Sequence, residues 1–295
     1  MKKIVLTGML LMSMLLISPI VSANNSSEDL RILTHNVYFL PRIVSNEGQM
    51  SRARLIAKAD YVKENDVVIF QELFDDGAAD LLLKKLKEDY PYQTPVIGES
   101  KKGWDKSMGS SMWFNLTNGG VAILSKWPIE KKIQYIYKRE SKEDQYAGKG
   151  FAYVTINKNG EKIHIMGTHL QSGAKKKELN IKQSQLREIR DFIEERKIPR
   201  SEKVFIGGDF NIQPEKRPEE YANTLATLNV MEPIHTEDQR LDFIFAVQGY
   251  GQARNWTNKT LYLTSPTWKV FDLGKIKTVD HQWYSDHDPV IGYSN

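Results

Sequence analysis

The most constraining stretch is Val204-Phe-Ile-Gly-Gly-Asp-Phe-Asn211. Val204 to Ile206 read as a short buried strand. Gly207 and Gly208 are expected to stop it, since paired glycines permit backbone angles and close approaches that other residues resist. Asp209 and Asn211 follow at alternate positions, so both point the same way if the chain stays extended. A carboxylate and an amide at the rim of a sheet can grip a phosphate, a metal-bound water or a nucleophile. The simpler reading is an Asp/Asn turn after a strand. The choice rests on how the other strands end.

Other apolar runs end in the same way. Asp29 to Phe39 reads as a strand ending at His35-Asn36, and Asp66 to Phe70 as a buried strand ending at Gln71-Glu72. Gly120–Leu124, Ile129–Tyr137 and Phe151–Ile156 are expected strands, with a turn at Asn159-Gly160. Lys162 to Gly167 runs into Thr168-His169, Leu241 to Val247 carries Asp242, and Tyr284-Ser-Asp-His-Asp288 precedes a last strand, Pro289–Tyr293. Helical spacing covers Met50–Lys63, Asp80–Tyr90, Leu179–Glu195 and Glu219–Leu228. Some strands are hairpin-linked and others are joined across helices. This predicts a layered α/β (α+β) protein, two mixed sheets packed face to face with helices outside.

The ends of the chain and its charge narrow the function. Lys2 and Lys3, the apolar Ile4–Val21 and the small residues of Val21-Ser-Ala23 read as a signal peptide over residues 1–23. Residues 24–295 are then one catalytic domain, exported and soluble. Cysteine is absent, which excludes thiolate zinc sites and cysteine nucleophiles. The formal charge of +4 falls to about +2 without Lys2 and Lys3, too little to argue for nucleic acid. The Lys175-Lys-Lys177 run is read as a solvated approach to a helix.

The polar strand ends are Asn36, Glu72, His169, Asp209 with Asn211, Asp242, and Asp286 with His287. They include neither a serine-hydrolase elbow nor a glycine-rich phosphate loop. Oxygen ligands with few imidazoles suit Mg²⁺, Ca²⁺ or Mn²⁺ rather than zinc. A histidine can take a proton from water. Taken singly, Glu72 and Asn36 could be turn or cap residues and His169 a hydrogen-bonded strand-end histidine. Asp242 is harder to explain by packing, because a carboxylate within an apolar strand is costly without a partner. A hard cation and a positioned base are what phosphodiester hydrolysis requires.

In order along the chain, Thr34-His-Asn36, Phe70-Gln-Glu72, Gly167-Thr-His169, Gly207-Gly-Asp-Phe-Asn211, Leu241-Asp-Phe-Ile244 and Tyr284-Ser-Asp-His287 resemble the endonuclease/exonuclease/phosphatase superfamily. Within it, His35–Tyr38, Gly103–Lys106, Gly119–Ile129, Lys149–Phe151 and Gly167–Gln171 are similar to the secreted bacterial sphingomyelinases C. The resemblance implies a four-layer sandwich and Mg²⁺-dependent attack of water on a phosphoester. It implies Mn²⁺ or Co²⁺ as substitutes and Ca²⁺ as inhibitory or structural. It makes Glu72 the main metal ligand with Asn36 beside it, Asp286 a second metal-side carboxylate, His287 the base and Asp242 its orienting carboxylate. It assigns His169 to the phosphate and leaving group, and Asp209 and Asn211 to the water and phosphate.

The resemblance also sets expectations that this chain departs from. The family carries a disulfide at the equivalent of Ser141–Ala174, where this chain has no cysteine. The Val230–Leu241 segment is shorter and lacks an aromatic loop. The hairpin between Trp268 and Trp283 offers Phe271, Leu273 and Ile276 among lysines, and with Trp268 it is the expected membrane contact. The expected partner is sphingomyelin in the outer leaflet, with no nucleic acid and no obligatory protein partner. A secreted nuclease and a membrane-binding protein that has lost turnover are the competing readings.

Overall fold

A computed structural model describes residues 30–110, 116–141, 144, 146–237, 241–251, 253, 255–272 and 277–294. The expected signal peptide, Leu273 and Ile276 lie outside them. In chain order the elements are β1 (Ile32–Phe39), α1 (Gln49–Ile56), α2 (Asp60–Lys63), β2 (Val67–Leu73), α3 (Asp76–Lys85), β3 (Tyr92–Gln93), β4 (Lys106–Gly109) and β5 (Ala122–Ser125). There follow β6 (Ile129–Ile136), β7 (Gly150–Lys158), β8 (Glu161–His169), α4 (Lys176–Arg196), β9 (Lys203–Asp209) and α5 (Pro218–Leu228). The chain continues with β10 (Ile234–His235), β11 (Asp242–Ala246), β12 (Trp256–Thr260), β13 (Trp268–Asp272), β14 (Lys277–His281) and β15 (Val290–Ser294).

Two mixed sheets result, in the orders β10-β12-β15-β1-β2-β5-β3 and β11-β9-β8-β7-β6-β4, with β13-β14 as a separate hairpin. The alternation of side chains along each strand builds the layers. In β2, Val68 and Phe70 join the cluster that packs on α1 and α3, while Val67 and Ile69 face the other sheet. In β9, Phe205 faces inward, and Val204 and Ile206 pack with Ile189 and Phe192 of α4. The expected four-layer sandwich is therefore present: helices, sheet, sheet, helices.

Two expectations are corrected. The Met50–Lys63 periodicity is not one helix, because the chain breaks at Ala57–Ala59 between α1 and α2. Gly207 and Gly208 do not stop the strand either, since β9 runs through both to Asp209. Their role is close approach. A Cβ on Gly207 would lie 2.7 Å from Ile69 Cδ1 of the facing sheet, and one on Gly208 (φ +146°) 1.9 Å from the Thr168 carbonyl. Gly207 lets the two sheets approach, and Gly208 lets β9 close on β8, where the polar strand ends begin.

Candidate active site

Register assembles the first half of the site. In the second sheet His169 pairs with Asp209 across β8 and β9, and Asp209 pairs with Asp242 across β9 and β11. Directly opposed residues share a face, so an imidazole and two carboxylates stand in one row. In the first sheet Asn36 pairs with Gln71, and the β1–β2 register then shifts before Phe39. Tyr38 (φ 53°) and Glu72 (φ 59°) lie in the left-handed region there. Non-glycine residues in that region cost roughly 1–3 kcal/mol and persist where surrounding contacts impose them.

The two rims meet at Asn36. Its Nδ2 donates to Glu72 Oε1 (2.9 Å) and to Asp209 Oδ2 (3.1 Å). Its Oδ1 accepts from the Tyr38 N–H (3.1 Å), which fixes the orientation of the amide. His169 Nε2 is 3.4 Å from Asp209 Oδ2 and 4.0 Å from Glu72 Oε1. His287 enters from the loop before β15. Its Nδ1 is 2.7 Å from Asp242 Oδ2, and its Nε2 is turned toward Asp209 Oδ2 at 3.9 Å.

Two groups of potential metal donors thus share one carboxylate: Glu72, His169 and Asp209, and Asp209, Asp242 and His287. Glu72 Oε2 is buried with no hydrogen-bond partner among the described residues, and the same is true of Asp242 Oδ1. Orphaned buried carboxylate oxygens are costly without a cation. Oxygen donors in this number fit a hard divalent ion.

The proton affinities follow from burial and charge. Burial raises Glu72 to about 7, against the Asn36 hydrogen bond and the Lys149 cation. His169 falls to about 3 through burial and the neighbouring Lys149 ammonium. Asp209 is raised by burial, but His169, His287, Asn36 and Lys149 outweigh this and hold it below the ordinary carboxylate range. Burial also raises Asp242 to about 6. Burial opposes a cationic His287, yet the carboxylates of Asp242, Asp209 and Asp286 overcome it and hold a proton on the ring.

Asn211 has φ 54°, so the chain does not stay extended, and its amide donates to the Leu170 carbonyl (3.1 Å). It serves Asp209 through its backbone N–H, 2.8 Å from Oδ1. Asp286 is exposed, bonded to Ser285 Oγ (3.2 Å) and outside both donor groups. At the hairpin, Phe271 is 50 % exposed, whereas Trp268 is buried and its indole donates to the Trp283 carbonyl. Trp268 is therefore the root of the hairpin and not a lipid contact.

Lys149 is a site residue without an assigned role in the sequence reading. It is buried 3.1 Å from His169 Nε2 and paired with Asp144 at 2.8 Å. The one sequence signal was a lysine between two glycines entering an apolar strand.

Residues 33–287 match the model of the Endonuclease/Exonuclease/phosphatase family. The chain is 42% identical to sphingomyelinase C of Listeria ivanovii over 90% of this chain and 86% of that protein. It is 38% identical to sphingomyelinase C of Bacillus cereus over 91% and 90%. A Staphylococcus aureus beta toxin variant solved with bound magnesium ions superposes with a TM-score of 0.86 at 37% identity, covering 90% of this chain and 100% of that one. The chain belongs to the endonuclease/exonuclease/phosphatase family and, within it, to the bacterial sphingomyelinases C.

Proposed function

We propose that this chain is a Mg²⁺-dependent phosphodiesterase that hydrolyses sphingomyelin to ceramide and phosphocholine. The observation that carries the reading is the pair of donor groups joined at Asp209, with His287 Nε2 turned toward them. Glu72 with its orphaned oxygen, Asn36 beside it and Asp209 would hold the ion, and Asp286 is the proposed metal-side carboxylate. A bound hard cation supplies charge neutralisation at the phosphoryl oxygens.

The chain's own groups do the rest. Asp242 fixes the His287 ring through Nδ1 and leaves Nε2 facing the rim. His287 becomes a base when the negative field around it is offset, and Nε2 then takes the proton of the attacking water. The water oxygen bonds to phosphorus as the bond to the ceramide oxygen breaks, and that oxygen takes up a proton from solvent to give ceramide. His169, neutral at physiological pH and accepting from the Lys149 ammonium at Nε2, is the residue proposed beside the phosphate and leaving oxygen. Asp209, held by the Asn211 backbone N–H, positions the water.

The same reading places residues 1–23 as a cleaved leader and the protein outside the cell. It takes sphingomyelin in a membrane surface as partner, Mn²⁺ or Co²⁺ as substitutes and Ca²⁺ as inhibitory or structural. Choline release from sphingomyelin, assayed against phosphatidylcholine and DNA with and without EDTA, tests it. Turnover of sphingomyelin that EDTA abolishes is expected, and activity confined to DNA would overturn the substrate class. His287→Ala is expected to lower kcat by about 10²–10⁴-fold with unchanged circular dichroism. Near-normal turnover in that variant would remove the proposed base.

A further inference from the structure

Arg52 of α1 is fully buried. Its guanidinium forks between segments far apart in sequence. Nη1 donates to the Val37 carbonyl (2.5 Å) and the Tyr284 carbonyl (3.2 Å). Nη2 donates to the Tyr38 carbonyl (2.6 Å) and Nε to the Glu47 carbonyl (2.7 Å). The same group lies over the rings of Trp283 at 4.9 Å, Phe39 at 5.1 Å, Tyr38 at 5.7 Å and Trp268 at 6.0 Å.

Three of the four anchored carbonyls, those of Val37, Tyr38 and Tyr284, lie within three residues of a group at the rim. Val37 and Tyr38 follow Asn36 where β1 loses register, and the left-handed Tyr38 aims its N–H at Asn36 Oδ1. Tyr284 precedes Ser285, whose hydroxyl donates to the Asn36 carbonyl (2.6 Å) and accepts from the His287 N–H (3.2 Å). Trp268 and Trp283 are the root of the β13–β14 hairpin, and Gly48 ahead of α1 packs on Trp268 so closely that a Cβ there would lie 2.3 Å from its ring. Planar, five-donor geometry is what lets one side chain hold four carbonyls, which a lysine could not reproduce.

We propose that Arg52 is a positioning residue for the cation rim, locking the Asn36 bulge and the Ser285–His287 loop into one unit and tying both to the root of the hairpin. The inference rests on the reading of Glu72 and Asp209 as a cation site. Two simpler roles have different signatures. If Arg52 acted only through its charge, removing it would strengthen cation binding. If it only supported the fold, its loss would lower the melting temperature and leave cation affinity of the folded molecules unchanged.

The test is calorimetric titration of the full chain with Mg²⁺, without substrate, for the wild type, Arg52→Met and Arg52→Lys, with melting followed by circular dichroism. Arg52→Met is expected to raise the Mg²⁺ dissociation constant by about 10–100-fold, in the range of outer-shell losses at metal sites. Arg52→Lys keeps the charge and loses the fork, so it is expected to weaken binding as well, and it decides the matter if Arg52→Met does not fold. Unchanged or tighter Mg²⁺ binding in the folded variants overturns the role of Arg52 alone. A wild type that binds no Mg²⁺ overturns the cation-site reading, and the positioning role with it.

Discussion

Glu72 shows how a residue can be costly to the fold and necessary to the site. It is 15% exposed and accepts from Asn36 at one oxygen, while the other is orphaned. Burial lifts its proton affinity from an ordinary 4.5 to about 7. The sign follows from linkage. Between those values the folded chain binds more protons than the unfolded chain, so stability falls as pH rises through this window. At pH 7.5 the penalty is of order 3 kcal/mol in the cation-free protein. Glu72→Gln keeps the acceptor for Asn36 and removes the charge. It is expected to melt higher than the wild type at pH 7.5 in EDTA, to match it near pH 4.5, and to lose the stabilisation that Mg²⁺ gives the wild type. Melting curves at the two pH values, with and without Mg²⁺, decide it. A variant less stable than the wild type at pH 7.5 in EDTA would mean that the carboxylate already has a partner.

The elements carry a substitution of one kind of tie for another. Where the family resemblance places a disulfide, Gln171 bonds Ser141 in both directions: its Oε1 accepts from the Ser141 N–H (2.8 Å) and its Nε2 donates to the Ser141 carbonyl (3.2 Å). Asp144 accepts from Gln171 Nε2 and the Ser172 N–H, both at 2.7 Å, and pairs with Lys149. Through Asp144 and Lys149 the network thus leads to His169. Gln171→Ala leaves buried backbone groups unpaired and is expected to cost about 1–3 kcal/mol in urea unfolding, with lower turnover because Asp144, the partner of Lys149, loses one of the donors that hold it. A loss below a few tenths of a kcal/mol would show that water replaces the amide. The position of Lys149 was not legible in sequence, since a lysine between glycines carries no periodicity and acquires its role from Asp144 and His169 across the fold. β12 escaped for a related reason. Trp256-Thr-Asn-Lys-Thr260 is mostly polar, and it is a strand because Asn258 is buried and bonds the Ile244 backbone in both directions, N–H to Oδ1 and Nδ2 to carbonyl. The buried strands β2, β9 and β11 were legible because their apolar runs end abruptly in polar residues. The bends at Tyr38 and Glu72 were not, because contacts rather than residue type impose them, whereas the bend at Asn211 is the turn its asparagine offered.

At the scale of the molecule, the layered core fixes one rim and the hairpin stands beside it. Trp268 stacks on His281 and meets Trp283 edge-on at the hairpin root, and Arg52 joins that root to α1 and β1. The outer part of the hairpin shows Phe271, half exposed, and the loop after β1 shows Ile43 and Val44, 97% and 69% exposed. That loop ends at Gly48 against Trp268, at the root of the hairpin that carries Phe271. Among the described residues no helix is long and apolar enough to cross a membrane. If Phe271 meets lipid, sphingomyelin in a vesicle uses both the hairpin and the cation rim, whereas a soluble phosphocholine ester needs only the rim. Full burial of a phenylalanine is worth about 1.5–3 kcal/mol, and a ring already half covered gains about half of that. Phe271→Ser is therefore expected to lower vesicle binding by about 10-fold, with turnover of the soluble ester as the reference. Flotation with sphingomyelin vesicles and parallel assays on both substrates measure it. Equal losses on the two substrates would place Phe271 in the support of the rim, and no loss on vesicles would remove the hairpin from lipid contact.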